Sequence, residues 1–108
     1  MIEFIDMDTY ERVRVLQNID HERSRQIDKW GEQHHPNGTD VENAGRRDFY
    51  RARCDQRARD GEGTWWDILL EETYEAAAEI DPETLRKELV QVAAVCVAWI
   101  EDLDSHVQ

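Results

Sequence analysis

The chain has little of what would place it among basic, membrane-spanning or disulfide-linked proteins. Its 108 residues include 13 Lys and Arg against 25 Asp and Glu, for a formal net charge of −12. A surface this acidic argues against binding to nucleic acid backbones or to anionic membrane surfaces, because both need basic patches. The longest apolar run, residues 92–100, is too short to span a bilayer.

Cysteine is also scarce, and its two positions indicate a reducing compartment. Cys54 and Cys96 show no metal-binding spacing. We interpret them as reduced packing thiols, with a disulfide between them as the alternative. Acids among the apolar residues of segment 1–6 argue against a signal peptide. We therefore expect a cytoplasmic protein.

Several catalytic and metal-binding patterns are missing from the chain. It contains no glycine-rich phosphate loop and no nucleophile elbow. A di-iron bundle would need Glu-x-x-His on its helices, and no predicted helix carries that pattern. The pair His34 and His35 has neither a third soft ligand nor the spacing of a zinc site. Any metal chemistry is therefore expected to rest on carboxylates.

The sequence predicts helix over almost its whole length, in a single domain. The two prolines, Pro36 and Pro82, both mark breaks. We predict helices over about residues 9–30, 41–59, 65–80 and 82–103, with a polar loop over residues 32–40. The expected capping residues are Thr9, Thr64 and Asp81.

Two apolar patterns predict buried surfaces. On the first helix, apolar residues recur at three- and four-residue spacing: Tyr10, Val13, Leu16, Ile19, Ile27 and Trp30. On the last helix, Gln91 is the only polar residue between positions 89 and 100, so the helix is apolar almost all round. In so small a chain this favours burial against a second copy, in an all-α bundle of about four helices completed by oligomerisation.

Acidic side chains on the last two predicted helices lie where a solvated helix would not normally place them. Glu72 and Glu75 share one helix face, and Glu88 and Gln91 share a face of the next helix. Like charges at this spacing destabilise a helix unless a cation lies among them. Glu88 also opens the apolar run, where a carboxylate needs a partner. A divalent ion resolves both problems, and oxygen ligands suit Mg²⁺, with Mn²⁺ as the alternative.

The competing interpretation needs no metal. Glu71, Glu75 and Glu79 would be surface acids, and Glu88 would pair with an arginine, because charge runs are usually solvated faces. Two acidic or amide pairs on consecutive helices, one of them in an apolar setting, favour the metal site instead.

The order of these motifs resembles the all-α nucleoside triphosphate pyrophosphohydrolases, and in particular the small MazG-like proteins of bacteria and phages. That family carries Glu-Glu-x-x-Glu and then, after a short helical connection, Glu-x-x-Asp. Here Glu71, Glu72 and Glu75 complete the first half, and Glu88 begins the second half. Gln91 stands where the family has Asp. Residues 22–36 also look like the family's first helix, so the likeness covers roughly two-thirds of the chain.

The resemblance implies an enzyme that hydrolyses a nucleoside triphosphate to a nucleoside monophosphate and pyrophosphate, as a homodimer or homotetramer. It implies that Glu72, Glu75, Glu88 and Gln91 hold the metal. Glu71, Glu72 and Glu75 would form the catalytic set, with Glu71 as the candidate for activating water. An amide oxygen carries no charge, so Gln91 weakens such a site. The alternative is a non-catalytic nucleotide-binding or helical interaction protein that retains the scaffold.

Basic and aromatic side chains are candidates for contacts with the nucleotide. Lys29, Arg53 and Arg57 are the candidates for phosphate; alternatively, the arginines of the second helix pair with acids of neighbouring helices. Trp30 and His34 lie in the region that contributes to the base pocket of the family. Stacking of Trp30 on a base competes with the commoner role of such an aromatic, which is packing in the core.

Overall fold

The computed structural model describes residues 7–106, and within that range the protein is all-helical, without strands. The elements are α1 (Met7–Trp30), a 3₁₀ helix (Val41–Asn43), α2 (Ala44–Arg59), α3 (Trp65–Ala77) and α4 (Pro82–Ser105). The prediction of an all-α chain is confirmed. The segment 1–6, on which the signal-peptide argument rests, lies outside the described residues. No helix in the described range is both long enough and apolar enough to cross a membrane.

The start of α3 follows from its capping chemistry. The hydroxyl of Thr64 accepts a hydrogen bond from the backbone N–H of Asp67 at 3.1 Å. The backbone N–H of Thr64 in turn donates to Asp67 Oδ2 at 3.1 Å, which completes a capping box. The predicted cap is confirmed. The helix ends at Ala77, before the predicted end at residue 80.

The other helix boundaries were predicted with mixed success. Asp81 caps α4 as expected, since its Oδ2 accepts from the backbone N–H of Thr84 at 3.0 Å and Pro82 is the first helical residue. The connection after α2 contains Gly61 with a φ of 72°, a left-handed conformation that favours glycine. The capping prediction for Thr9 was wrong, because α1 begins at Met7 and Thr9 lies inside it.

The chain forms two compact units. Within the described range, one consists of residues 7–36 together with residues 97–106, and the other of residues 37–96. In the first unit Arg12 Nε lies 3.4 Å from Glu101 Oε1. The second unit contains all the acids named above as metal ligands. The prediction of a single domain stays a prediction.

Within the second unit, α2 and α3 pack as an antiparallel hairpin. Tyr50 of α2 stacks on Tyr74 of α3, with ring centroids 4.9 Å apart and planes 13° from parallel. Farther from the connection, Asn43 Nδ2 donates to the carbonyl oxygen of Ala77 at 3.1 Å. Positions on α2 therefore meet positions on α3 in reverse order, which fixes which charges of the two helices face each other.

Much of the apolar surface that was expected to be buried is exposed within the single chain. Among the residues of α1 whose burial is described, Val15 is buried, 1% exposed, whereas Trp30 is 56% exposed, so the alternative in which Trp30 packs in the core is wrong for the single chain. The rest of the α1 stripe is exposed as well: Tyr10, Val13, Leu16, Ile19 and Ile27. On α4, Leu89 and Val90 are also exposed, so this helix is not covered on every side by its own chain.

Candidate functional site

Five glutamates of the second unit form what we call the acidic cluster. Three lie on α3 at helical spacing, one follows the end of α3 and one lies on α4, and all five are half-buried: Glu71, Glu72, Glu75, Glu79 and Glu88. Their positions on α3 follow from three- and four-residue steps, which bring side chains onto one face. The cluster is therefore not a fully solvated charge run.

Glu72 is the most constrained member of the cluster. Its Oε2 is buried and has no hydrogen-bond partner among the described residues. Burial raises the pKa of Glu72, and repulsion from Glu71, Glu88 and Glu75 raises it further. A buried carboxylate oxygen without a donor is costly unless a cation or a proton is supplied.

Glu88 links α4 electrostatically to these acids. Burial raises the pKa of Glu88, the charges of Glu75 and Glu79 raise it further, and Arg51 lowers it. Glu88 is thus within electrostatic range of Glu75 on α3 and of Glu79, which follows the end of α3. Gln91 lies about one turn further along α4 and is exposed.

A protein cation already lies within the cluster. Arg51 Nε donates to Glu75 Oε1 at 2.9 Å, and Arg51 Nη2 contacts the same oxygen. The hydrogen bond and the charge of Glu75 raise the pKa of Arg51. Sequence reasoning did not select Arg51 from the arginines of α2. The signal available in the sequence was helical spacing. Arg51 directly follows Tyr50, which stacks on Tyr74 of α3, and it lies three residues before Cys54, which contacts Glu71 of α3. Arg51 therefore lies on the side of α2 that meets α3.

Cys54 lies beside the cluster, and its thiol is held in the protonated form. Burial raises the pKa of its thiol to about 11, and the hydrogen bond with Glu71 and the charge of Glu71 add to the effect. A thiol with this pKa is protonated at neutral pH and unreactive. Cys54 and Cys96 are both free, in agreement with the interpretation as reduced packing thiols.

The cluster has the right donors for a hard divalent ion but is not arranged around one. No group of three or more His, Cys, Asp or Glu side chains within the described range is placed to hold a metal. Glu75 is paired with Arg51, and Glu72 keeps an oxygen without a donor. Carboxylates are the ligands that Mg²⁺ prefers, and the unpaired Glu72 oxygen fits such an ion. Occupation by an ion would require these side chains to converge and Glu75 to exchange its partner.

The two arginines proposed for phosphate lie next to a different carboxylate. Arg57 Nε donates to Asp67 Oδ2 at 2.8 Å, and Arg53 Nε lies 3.8 Å from Asp67 Oδ1. Asp67 is only 5% exposed. The hydrogen bond from the Thr64 hydroxyl lowers the pKa of Asp67, and the bond from Arg57 lowers it further. Arg57 thus follows the alternative in which arginines of the second helix pair with acids of a neighbouring helix.

Both arginines also border an open groove along α2. The groove has a volume of about 530 Å³ and is lined by Phe49, Ala52, Arg53, Gln56, Arg57 and Arg59. It is a basic surface in an otherwise acidic chain, and a role in phosphate binding for Arg53 and Arg57 stays a prediction.

The other residues proposed to contact the nucleotide lie in the first unit and are exposed: Lys29 for phosphate, and Trp30 and His34 for the base. Lys29 Nζ lies 4.7 Å from the centre of the Trp30 ring, a cation–π contact. His34 Nε2 lies 3.2 Å from Glu32 Oε1. A cleft of about 460 Å³ in the same region is lined by Arg23, Gln26, Ile27, Gly31, Glu32, Gln33 and His35. The nucleotide contacts of Lys29, Trp30 and His34 stay predictions.

Comparison of the chain with family models, with curated proteins and with solved structures gave no match. The functional argument therefore depends on the motif and on the geometry of the acidic cluster.

Proposed function

We propose that the protein is a Mg²⁺-dependent nucleoside triphosphate pyrophosphohydrolase of the MazG-like kind, with Mn²⁺ as a possible substitute for Mg²⁺. The observation that carries the proposal is the buried Glu72 oxygen without a donor, set among Glu71, Glu75 and Glu88. These acids are also the ones that the resemblance assigns to metal binding and catalysis. The position of Glu88 near the acids of α3 supports a shared site.

The proposed chemistry divides the acids into two roles. Glu72, Glu75 and Glu88 would hold the ion. When bound, the ion supplies positive charge to triphosphate oxygens, where negative charge increases in the transition state. Glu71 takes a proton from the water that attacks the α-phosphorus. The bond between the α- and β-phosphoryl groups breaks, and a nucleoside monophosphate and pyrophosphate are released.

We further propose that the working protein is a cytoplasmic homodimer or homotetramer assembled through α4. Leu89 and Val90 are exposed on this helix, and burying such surface against a second copy is favourable. Light scattering of the purified protein measures the subunit number directly. A strictly monomeric protein would contradict this part of the proposal.

The activity is tested by incubating the purified protein with each NTP and dNTP and Mg²⁺, and identifying the products. We expect monophosphate and pyrophosphate in equal amounts. Glu72→Gln and Glu75→Gln are each expected to abolish turnover, whereas the matched control Glu83→Gln, exposed in the first turn of α4, retains it. Full activity in both cluster variants would overturn the assignment.

The second candidate is a non-catalytic nucleotide-binding or helical interaction protein. The exposed Gln91, where the family has a charged ligand, favours this reading. Gln91→Asp separates the two candidates, because a sharp rise in turnover identifies a weakened enzyme. Calorimetric binding of a nucleotide by the native chain, with no turnover in either form, would identify the binding protein.

A further inference from the structure

Arg51 differs from Arg57, which is also paired with an acid of α3. Arg57 pairs with Asp67, which is nearly inaccessible to solvent. Asp67 also accepts a hydrogen bond from the hydroxyl of Thr64. Arg51 pairs with Glu75, whose side chain is 20% exposed, while the Arg51 side chain is itself 47% exposed. Arg51 therefore lies on the solvent-exposed side of the acidic cluster. Its side chain is long, so the guanidinium can move away from Glu75 without disrupting the core.

The position of Arg51 conflicts with metal binding. Its Nε and Nη2 both contact Glu75 Oε1, and its charge also acts on Glu88. Glu75 and Glu88 are also two of the proposed ligands of the divalent ion. Two cations sharing one carboxylate repel each other, so an ion that binds Glu75 weakens the hold of that carboxylate on Arg51.

We infer that Arg51 and the divalent ion compete for Glu75, and that Arg51, once displaced, binds the triphosphate. This inference rests on the proposed function. A guanidinium presents a planar fork of N–H donors that matches phosphoryl oxygens, so the displaced side chain has a suitable anionic partner. Asp48 Oδ1, 4.0 Å from Arg51 Nη1, gives it a second acid on its own helix. Arg51 is thus the cation of the cluster in the metal-free protein and a phosphate ligand in the substrate complex.

The test is calorimetric titration of Arg51→Gln, first with Mn²⁺ alone and then with a non-hydrolysable triphosphate in saturating Mn²⁺. Without its competitor, the variant binds Mn²⁺ about two- to fivefold more tightly than the native chain, the range expected for an exposed ion pair. It binds the triphosphate more weakly. The matched control is Arg47→Gln, one turn earlier on α2, where Arg47 Nε donates to Asp48 at 3.0 Å. The control removes the same charge but leaves both affinities unchanged.

The outcomes separate this inference from the proposed function. Opposite changes in the two affinities support the competition, because a purely structural ion pair would weaken both or neither. If the native chain binds Mn²⁺ and Arg51→Gln binds it no more tightly, the competition is overturned and the metal site stands. If neither protein binds Mn²⁺, both proposals fall. Arg51→Lys keeps the charge and serves as a control for a folding defect. This variant should bind Mn²⁺ with the native affinity. Tighter Mn²⁺ binding by Arg51→Lys would contradict the competition.

Discussion

Two carboxylates on the same helix, Asp67 and Glu72, have opposite surroundings. Asp67 Oδ2 accepts from the backbone N–H and the hydroxyl of Thr64 and from Arg57 Nε, at 3.1, 2.8 and 2.8 Å. Glu72 has an Oε2 without a donor and lies among other acids. These donors lower the pKa of Asp67, whereas burial and like charges raise the pKa of Glu72.

Asp67 thus stabilises the fold through its hydrogen bonds, whereas Glu72 is held in the fold without a donor for its buried oxygen. Every donor around Asp67 comes from the chain itself, so this site is complete in the free protein. The Glu72 site is incomplete, and a strained or unpaired group of this kind is typical of a functional position.

The largest expected change in stability comes from Asp67→Ala. It removes the acceptor of three hydrogen bonds and leaves Arg57 without its main partner. We expect the melting temperature to fall by about 10 °C, measured by circular dichroism. The control Asp20→Ala, on the exposed surface of α1, should change it by no more than about 2 °C. Equal effects of the two substitutions would remove the distinction drawn for Asp67.

Thr64→Ala tests the capping half of the same site. The hydroxyl caps α3 and donates to Asp67, but Arg57 still holds Asp67 in the variant. We expect a loss of about 1 kcal/mol in the free energy of unfolding by urea. Thr64→Ser keeps the hydroxyl and should restore most of it. A loss in Thr64→Ser as large as in Thr64→Ala would show that the methyl group, and not the cap, is responsible.

Glu72→Gln is expected to act in the opposite direction. In the metal-free protein it removes a charge that is repelled by Glu71, Glu75 and Glu88. We expect the melting temperature in a chelator to rise by about 2 °C. Added Mg²⁺ should raise the melting temperature of the native chain but not of the variant, because binding to the folded state stabilises it. A variant less stable than the native chain in chelator would mean that Glu72 has a stabilising partner.

The smallest predicted effect is on the pH dependence of stability. The pKa values of Glu72 and Glu88 are raised above the ordinary 4.5. Between pH 4.5 and the raised values, the folded chain therefore binds more protons than the unfolded chain. Their contribution is therefore fully present below 4.5 and is lost as the pH rises through the raised values. Asp67 behaves oppositely, since its pKa is lowered and its contribution is lost only as the pH falls below the ordinary 3.8.

The corresponding measurement compares thermal melts of the native chain and Glu72→Gln in chelator between pH 7 and 4.5. The native chain should gain more stability on acidification than the variant. Parallel curves would show that Glu72 titrates normally in the folded protein.

Local sequence was sufficient for the parts of the fold that depend on neighbouring residues. Thr64 and Asp81 cap helices as predicted, because a capping side chain bonds to a backbone only two or three residues away. The common face of the α3 acids also followed from spacing alone. The sequence did not reveal the exposure of Trp30 or the burial of Val15, since a stripe shows which face is apolar but not what covers it.

The pairing of charges was harder to predict than their positions. Arg53 and Arg57 were selected for phosphate, yet Arg51 is the arginine that contacts Glu75. The choice among arginines depends on the register of α2 against α3, and that register is set by distant contacts such as Tyr50 with Tyr74.

The sequence by itself determined where α3 and α4 begin and that acids would recur along one face of α3, because capping and helical periodicity act over a few residues. Only the tertiary structure decided which acids receive a cation. The antiparallel packing of α2 on α3 gives Asp67 and Glu75 their arginines and leaves the Glu72 oxygen with none. Charges far apart in the chain meet only after packing has fixed their distances.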